Sequence, residues 1–429
     1  MIFHLDNKVV LVELPKYRMK VAIVGGGAAG FFLALNLKEL AIVNGQDNKS
    51  IQIDILEKSS TVLSKLEISG GGRCNCTNTF EYVKDLSQVY PRGAKFMKKI
   101  FNVFSPEDAY KWFEIHGVRL KVEDDGRVFP STDDSHTIID MFLNYADKYG
   151  IHIKTNSLIT SLSQLNGYDY VAITTGGYKL HKDLLQNNSN IFVDISRICS
   201  IVTPIPSLFG FTIVDKQLRS LTGTTIPQAT IMIPNTKLKA TGSVLITHKG
   251  MTGPCVLKLS SFAAKFLNEK NYTTNIVIKW VDCNDNQAIE KLIDSVFLFA
   301  NRVVSNSNTF ALPQRFWEYI LRKAIPNRLD IRYKDLTKKE INRIVNILCN
   351  DAYAVDGRAK NKEEFITCGG VDLSNIDNNT MQLKTNENLF FAGEVLNIDG
   401  ITGGYNFQAA WTTSYVASRG IYSKIEYCK

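Results

Sequence analysis

The sequence predicts an α/β fold divided into more than one domain, and three observations support this. A short apolar strand near the N-terminus runs directly into a glycine-rich turn and an apolar helix. Near the C-terminus a second buried strand is again followed by glycines and a helix. Between them, apolar residues alternate at the period of β-strands from about residue 196 and recur at helical spacing from about residue 284.

Length and composition are those of a folded globular protein. A chain of 429 residues exceeds what one hydrophobic core usually organises, so two or three domains are expected. Hydrophobic residues make up 45% and charged residues 21%, which excludes a disordered or collagen-like chain. The net charge of +8 is interpreted as a mild excess spread along the chain. It favours anionic small molecules as partners over nucleic acid.

Cysteine usage and hydropathy predict a cytoplasmic protein that does not act at a membrane. The eight cysteines show no paired framework spacing, which fits reduced thiols. No apolar run approaches the roughly 20 residues of a membrane span. Charges interrupt every apolar run in the first 18 residues, so these do not resemble a signal peptide, and Met19 is the more natural start.

The stretch KVAIVGGGAAGFFLALNL has the features of a dinucleotide-binding half-site. Gly25 allows a tight turn, Gly27 lets the backbone approach a pyrophosphate, and Gly30 lets the helix pack on the strand. A second strand, IQIDIL, ends at Glu57, where an acidic residue can hold a ribose hydroxyl. The alternative is a glycine-rich turn that binds no ligand.

The C-terminal stretch NLFFAGEVLNIDGITGGYNFQAAW favours FAD over NAD, because FAD enzymes return to the cofactor from the far end of the chain. A carboxylate directly after a strand can accept a ribityl hydroxyl, and a helix N-terminus can place positive charge near the flavin N1. The residues concerned are Gly393, Glu394, Gly403, Gly404, Tyr405 and Asn406. No second Gly-x-Gly-x-x-Gly occurs, so NAD(P)H, if it donates electrons transiently, reaches the flavin by another route. The alternative here is a capping turn before a core helix.

Six blocks together resemble the bacterial FAD-binding flavoprotein family of BaiN-like reductases and aminoacetone oxidase. They are VAIVGGGAAG, SGGGRCNCTN, GRVFPSTD, THKGMTGPCVL, TCGGVDL and FAGEVLNIDGITGGYNFQAAW. The resemblance implies a discontinuous Rossmann-like FAD-binding domain with an inserted partial β-barrel domain that carries a helical subdomain. The expected boundaries are 19–195 with 370–429, 196–283 with 351–369, and 284–350. One segment, 178–200, departs from the family pattern, which leaves the wall it would build and the substrate open.

The motifs and the resemblance together predict the residues that lie against FAD. They are Gly25, Gly27, Ala28, Ala29, Gly30, Glu57, Lys58, Gly72, Arg73, Cys74, Asn75, Thr77, Leu158, Thr175, Gly176, Gly393, Glu394, Gly403, Gly404, Tyr405 and Asn406. Leu158 is expected to pair its backbone with the adenine.

The loop ISGGGRCNCTN admits four interpretations. A metal clip lacks a second ligand pair, and a redox pair of Cys74 and Cys76 would close a strained ring. The favoured interpretation is a flavin-facing loop in which Arg73 supplies cationic donors and Asn75 and Thr77 offer hydrogen bonds. A surface turn with a solvated arginine is the fourth. No metal site is predicted.

The function expected from these features is an FAD-dependent oxidoreductase that transfers hydride at flavin N5 to or from a small organic molecule. His248, in a glycine- and proline-rich turn, is the candidate acid or base, although a plain turn histidine fits as well. The direction, oxidase or reductase, stays open. A tRNA-modifying flavoprotein and a non-catalytic flavin sensor are the alternatives.

Overall fold

A computed structural model describes residues 2–5, 8–11, 18–177, 190–359 and 366–427. The chain forms two compact units, Met1–Pro204 with Thr367–Lys429, and Ile205–Ile366. Residues 178–189, the first part of the segment that departs from the family pattern, lie outside the described residues.

The strands, in chain order, are β1 (Ile2–Leu5), β2 (Lys8–Leu11), β3 (Met19–Val24), β4 (Ile51–Leu56), β5 (Thr77–Asn78), β6 (Leu120–Val122), β7 (Arg127–Pro130), β8 (His152–Lys154), β9 (Tyr170–Ile173), β10 (Ile201–Ser207), β11 (Phe211–Ile213), β12 (Thr225–Met232), β13 (Lys239–Thr247), β14 (Gly250–Thr252), β15 (Thr273–Lys279), β16 (Asp351–Arg358), β17 (Ile366–Val371), β18 (Gln382–Leu383) and β19 (Asn386–Phe391). The α-helices are α1 (Ala28–Val43), α2 (Ser64–Ile68), α3 (Ala94–Ile100), α4 (Pro106–Ile115), α5 (His136–Lys148), α6 (Ile191–Ile198), α7 (Lys216–Arg219), α8 (Pro254–Phe262), α9 (Ala264–Glu269), α10 (Asp285–Leu298), α11 (Gln314–Ala324), α12 (Lys338–Cys349) and α13 (Tyr405–Tyr427).

The first unit is built on a six-stranded sheet in the order β18-β19-β9-β3-β4-β8. The pairs among β19, β9, β3, β4 and β8 are parallel, and β18 is an antiparallel edge strand. The residues of β3 from Val21 to Val24 are buried, as expected for a parallel strand covered on both faces. The chain first adds β4 and β8 on one side of β3 and then adds β9 and β19 on the other side. This strand order is that of a Rossmann-like sheet.

The C-terminal helix completes this unit by packing on the first helix. The Ser414 hydroxyl donates to the Ala29 carbonyl at 2.9 Å, and the rings of Phe32 and Trp411 lie 5.1 Å apart. Helix α1 is apolar on most sides because it is buried, whereas α13 also buries polar side chains such as Gln408 and Thr412. The Rossmann-like domain is therefore discontinuous in sequence, as predicted.

The second unit contains a closed antiparallel barrel in the order β11-β14-β13-β12-β15-β16. The family resemblance implied a partial barrel, but β11 pairs with both β14 and β16 and closes it. Helices α10, α11 and α12 share one hydrophobic core with the barrel, centred on Trp280, Phe316 and Trp317. Barrel and helices thus form one unit.

Residues Gly126 to Pro130 resemble a turn in sequence, but Arg127–Pro130 is strand β7, the middle strand of the sheet β5-β7-β6. Val128 and Phe129 are fully buried there, and this burial outweighs the turn propensity of the flanking glycine and proline. Pro130 is the last residue of the strand and lies beyond the residues that pair with β5. Within the described part of the chain, no helix is both long and apolar enough to cross a membrane.

Asp54 in β4 is the buried carboxylate from which we expect an acid-sensitive contribution to stability. Burial alone would raise its pKa, but hydrogen bonds outweigh burial and lower the pKa from 3.8 to about 2. The donors are Lys154 at 2.6 Å, Tyr168 at 2.7 Å, His152 at 2.9 Å and Gln52 at 3.1 Å.

Because the folded-state pKa lies below the unfolded one, this stabilisation of about 2 kcal/mol is complete above pH 4 and is lost as the pH falls towards 2. Replacing Asp54 with asparagine should lower the free energy of unfolding at pH 7 by a similar amount and flatten its pH dependence below 4. Urea unfolding at pH 7 and pH 3 measures both effects. An unchanged pH dependence would contradict the assignment.

Candidate functional site

The candidate site lies at the carboxyl edge of the parallel sheet in the first unit. The Gly25 turn follows β3, Glu57 follows β4, Thr175 and Gly176 follow β9, and Gly393 follows β19. Ligands of open α/β sheets bind outside the carboxyl ends of their strands. The fold therefore brings together residues from both ends of the chain.

The three fingerprint glycines are required for different reasons. Gly25 has φ of +117°, and a Cβ there would lie 2.5 Å from the Thr174 carbonyl oxygen. A Cβ on Gly30 would lie 2.1 Å from the Gly25 carbonyl oxygen, so only glycine lets α1 approach β3 this closely. A Cβ on Gly27 would meet nothing within 4 Å. Gly27 is thus the fingerprint glycine that faces open space.

The start of α1 presents unsatisfied backbone donors on this open side. Gly27 is the N-cap residue, and no side chain caps the helix. The first turn contains Ala28, Ala29 and Gly30 and no acidic residue. Small side chains and free N–H groups at a helix N-terminus form a site for an anion such as a phosphate.

Glu57 holds two segments of the site in place. Its Oε2 accepts a hydrogen bond from Gly26 N at 2.8 Å, and its Oε1 accepts from Ser59 N at 2.9 Å and Ser59 Oγ at 2.6 Å. The carboxylate is partly exposed, so its remaining lone pairs are accessible. Lys58 beside it is exposed. Leu158, the predicted adenine contact, is also exposed and follows Ser157, whose N donates to Glu57 O at 2.7 Å.

The triple-glycine loop has a left-handed backbone at Gly70, Gly71 and Gly72, with φ of 58°, 73° and 87°. A Cβ on Gly71 or Gly72 would meet nothing within 4 Å. The non-glycine Cys74 is also left-handed, with φ of 59°. The glycines therefore permit both the backbone path and a close approach from the open side.

Arg73 is committed to protein partners. Its guanidinium pairs with Glu123 at 2.7 Å and Asp133 at 3.4 Å and lies 4.1 Å from the centre of the Phe129 ring. Two carboxylates compensate its charge, so the structure does not leave it as a free cation. Its expected contact with the cofactor stays a prediction.

Asn75 and Thr77 tie the same loop to the last helix. With its amide nitrogen facing the Val128 and Thr77 carbonyls, Asn75 accepts a hydrogen bond from Gly404 N at 2.9 Å. The Thr77 hydroxyl donates to Gln408 Oε1 at 2.5 Å. These side chains thus make hydrogen bonds within the protein, and their expected contact with the cofactor stays a prediction.

Cys74 and Cys76 are both buried free thiols. Burial raises the pKa of Cys74 to about 12 and that of Cys76 well above its ordinary value. A thiol reacts as the thiolate, which these surroundings disfavour. Their environment is that of structural cysteines, and the flavin-facing interpretation of the loop does not need them as reactants.

Lys65 is a site residue that the sequence did not single out. Its Nζ pairs with Glu394 Oε2 at 2.5 Å, and Glu394 Oε1 accepts from Thr367 N at 2.9 Å. A Cβ on Gly176 would meet only these two charged groups, at 3.7 and 4.0 Å. Lys65 lies on the short helix α2 and keeps about half of its side chain exposed. Its position just before the triple-glycine loop was the feature of the sequence that could have identified Lys65 as a site residue.

Side chains from the start of α13 and from residues 80–90 hold the segment before α13 in place. Asn406 accepts from Gly400 N at 2.8 Å and donates to Gly400 O at 2.9 Å. The Tyr405 ring packs on Phe80 at 5.0 Å, and Tyr90 donates to the Tyr405 carbonyl at 2.7 Å. These side chains shape the loop, and their contact with the cofactor stays a prediction.

Each glycine of this C-terminal segment lies where a Cβ atom would come too close to a neighbouring atom. Gly393, Gly403 and Gly404 have φ of 79°, 125° and 89°. A Cβ on Gly393 would lie 2.7 Å from Ala29 Cβ, and one on Gly404 would lie 2.2 Å from Thr77 O. Both positions thus let the C-terminal return approach the N-terminal half of the domain.

His248 does not lie with these residues in the first unit. It is an exposed residue in the two-residue turn between β13 and β14 of the second unit. Its acid or base role stays a prediction.

The family model of the HI0933-like protein Rossmann domain matches residues 19–420. The chain belongs to this family of FAD-binding Rossmann proteins. The family resemblance expected from the six motifs is therefore confirmed, and so is the flavoprotein class. The match begins at Met19 and includes every residue of the site described above.

Two curated relatives match this chain almost end to end. A ribosomal RNA dihydrouridine synthase of Escherichia coli is 25% identical over 94% of this chain and 98% of its own length. A 3-dehydro-bile acid delta(4,6)-reductase of Clostridium scindens is 22% identical over 93% and 98%. The apo Mycobacterium smegmatis Sdh1 complex is 13% identical, with a TM-score of 0.42 over 95% of this chain and 69% of that chain.

The residues at the sheet edge fit the FAD of this family. Gly27, Gly71 and Gly72 face open space where a dinucleotide would need close backbone approach. The Thr175 hydroxyl is buried and has no hydrogen-bond partner among the described residues. A buried hydroxyl without a partner is costly, so a bound polar group is expected there.

Proposed function

We propose that this protein is an FAD-dependent reductase that saturates a carbon–carbon double bond conjugated to a carbonyl, and that its substrate is a uracil base in RNA. The observation that carries the proposal is the pairing of an FAD-compatible sheet edge with nearly full-length similarity to two reductive enzymes. A dihydrouridine synthase and a delta(4,6)-reductase both add hydrogen across such a double bond. Reduction is therefore favoured over oxidation.

In this proposal the chain's residues bind and orient the cofactor. The α1 N-terminus and Gly27 receive the pyrophosphate, and Glu57 accepts a ribose hydroxyl through its remaining lone pairs. Glu394 accepts a ribityl hydroxyl, and Thr175 supplies a buried hydroxyl. When bound, FAD supplies two-electron hydride transfer, and NAD(P)H is the proposed donor that reduces it.

Lys65 takes the cationic role that the sequence had suggested for Arg73. Among the described residues Lys65 has one carboxylate partner, which leaves two of its three ammonium donors available, whereas Arg73 is shared between two carboxylates. An ammonium group with available donors at the sheet edge can stabilise negative charge that develops during hydride transfer. In this proposal Lys65 therefore stabilises developing negative charge, and His248 remains the proposed acid or base.

The charge distribution favours RNA over a small molecule. The sequence suggested an evenly spread excess of cations, but the two units differ strongly. Residues 205–366 contain 23 Lys and Arg against 14 Asp and Glu, a formal charge of +9, while the remainder contains 27 against 28. A basic unit raises the local affinity for a polyanion.

A steroid-like enone is the second candidate, because the bile acid reductase matches over the same length. The test is to reduce the purified yellow protein anaerobically with NADPH or NADH. A ribosomal RNA transcript or a conjugated steroid dienone is then added. We expect RNA nucleosides with a mass gain of 2 Da and reoxidised flavin. If only the dienone is turned over, the substrate is a small molecule and not RNA. If only oxygen reoxidises the reduced flavin, the reductase proposal is contradicted.

A further inference from the structure

The solvent-facing side of α12 in the second unit presents cations and amides without an acidic residue. The exposed positions, called here the α12 face, are Lys338, Lys339, Asn342, Arg343 and Asn346. The single acidic residue of this helix, Glu340, is buried. It caps the helix start through Thr337 and pairs with Arg328 at 2.7 Å. The acid therefore does not neutralise the α12 face.

The cations of the neighbouring helix α11 are engaged in contrast. Each has a partner within the second unit: Arg322 pairs with Glu318 at 3.2 Å, Lys323 pairs with Asp351, and Arg315 donates to Ser220 O at 3.3 Å. Across the ranges described, Lys338, Lys339 and Arg343 have no ion pair. Like charges four residues apart, such as Lys339 and Arg343, destabilise a helix. The α12 face therefore has cations that form no ion pair with the described residues of its own unit.

We infer that the α12 face binds the phosphodiester backbone of the RNA substrate. Lys339 and Arg343 lie about 6 Å apart along the helix axis, so they can contact successive backbone groups. Asn342 and Asn346 lie on the same side and can bond to phosphate or sugar oxygens. Such contacts fix register without reading sequence. This inference rests on the proposed function, because an RNA substrate supplies the polyanion.

The test measures RNA binding without turnover. A fluorescein-labelled hairpin of ribosomal RNA is titrated with the FAD-loaded protein at 50, 100 and 200 mM salt. The variant is K338Q/K339Q/R343Q. The matched control is K95Q/K98Q/K99Q, which removes three exposed cations from α3 in the first unit. Both variants lose the same charge, and thermal melts show whether each one is folded.

We expect the α12 variant to bind at least about tenfold more weakly at 100 mM salt, with a salt slope shallower by about 2. The control should change affinity less than about twofold. Equal losses in both variants would reduce the effect to net charge and overturn the inference, as would unchanged binding in the α12 variant or no RNA binding by wild type.

The proposed function fails separately from this inference. If RNA binds through the α12 face but does not gain 2 Da, the reductase proposal would be contradicted and the proposed RNA-binding surface would stand. If wild type and the α12 variant bind RNA with equal affinity and reduce it equally well, the reductase proposal would stand and the α12 face would not be the RNA-binding surface.

Discussion

Replacing Gly30 with valine should abolish cofactor binding and destabilise the first unit by about 3 kcal/mol or more. Even the first carbon of any side chain would lie 2.1 Å from the Gly25 carbonyl oxygen and 3.0 Å from Thr174 Oγ1. The clash is with backbone at the closest helix–strand approach, so it can be relieved only by moving α1 away from β3. Absorbance near 450 nm and urea unfolding of the purified variant measure the two effects.

Gly27→Ala is the matched control, because it adds a methyl group to the same turn without a clash. Gly27 has φ of −92°, and its Cβ would meet nothing within 4 Å. The apoprotein should therefore unfold at nearly the wild-type urea concentration. If the pyrophosphate approaches this backbone, the Kd for FAD should still rise at least about tenfold. A Gly27→Ala variant with wild-type FAD affinity would place the dinucleotide elsewhere.

Replacing Glu57 with alanine should raise the Kd for FAD by roughly 10- to 150-fold. Hydrogen bonds to a charged group contribute about 1.5 to 3 kcal/mol, and the carboxylate is proposed to accept from the ribose. Glu57 also accepts from Gly26 N and Ser59, so part of the loss will come from the loop itself.

Ser59→Ala separates the two contributions to the Glu57 effect. It removes one hydrogen bond to the carboxylate but leaves the Gly26 contact and the free lone pairs. We expect its Kd for FAD to rise less than about fivefold. If Glu57→Ala lowers the stability of the apoprotein while the affinity for FAD is unchanged, then Glu57 only clamps the loop. Isothermal titration of FAD into apoprotein provides the comparison.

The Rossmann-like half-site was predictable because its signals are local. A strand, three glycines at fixed spacing, a helix and an acid after the next strand occupy less than forty residues. Gly30 is dictated by the Gly25 carbonyl of the same short segment, whereas the close contact at Gly25 comes from the distant Thr174 and Gly27 meets nothing within 4 Å. The C-terminal return was predictable for the same reason, since Gly393 and Glu394 directly follow a buried strand.

Charged partners could not be predicted, because they come from distant parts of the chain. Arg73 was expected to face a ligand, yet Glu123 and Asp133, fifty and sixty residues away, compensate it. Lys65 was not singled out because its partner Glu394 is 329 residues away. Residues 127–130 form a strand because β5 and β6 supply pairing on either side.

The sequence by itself determined that this chain is an FAD-binding Rossmann protein interrupted by a β-rich and helical insertion. Periodicity and glycine spacing encode those features within single elements. The tertiary structure alone decided which cation faces the open sheet edge, that the barrel closes, and which lysines and arginines have no partner. Pairing and burial decide these features, and both depend on which distant side chains the fold brings within a few ångströms.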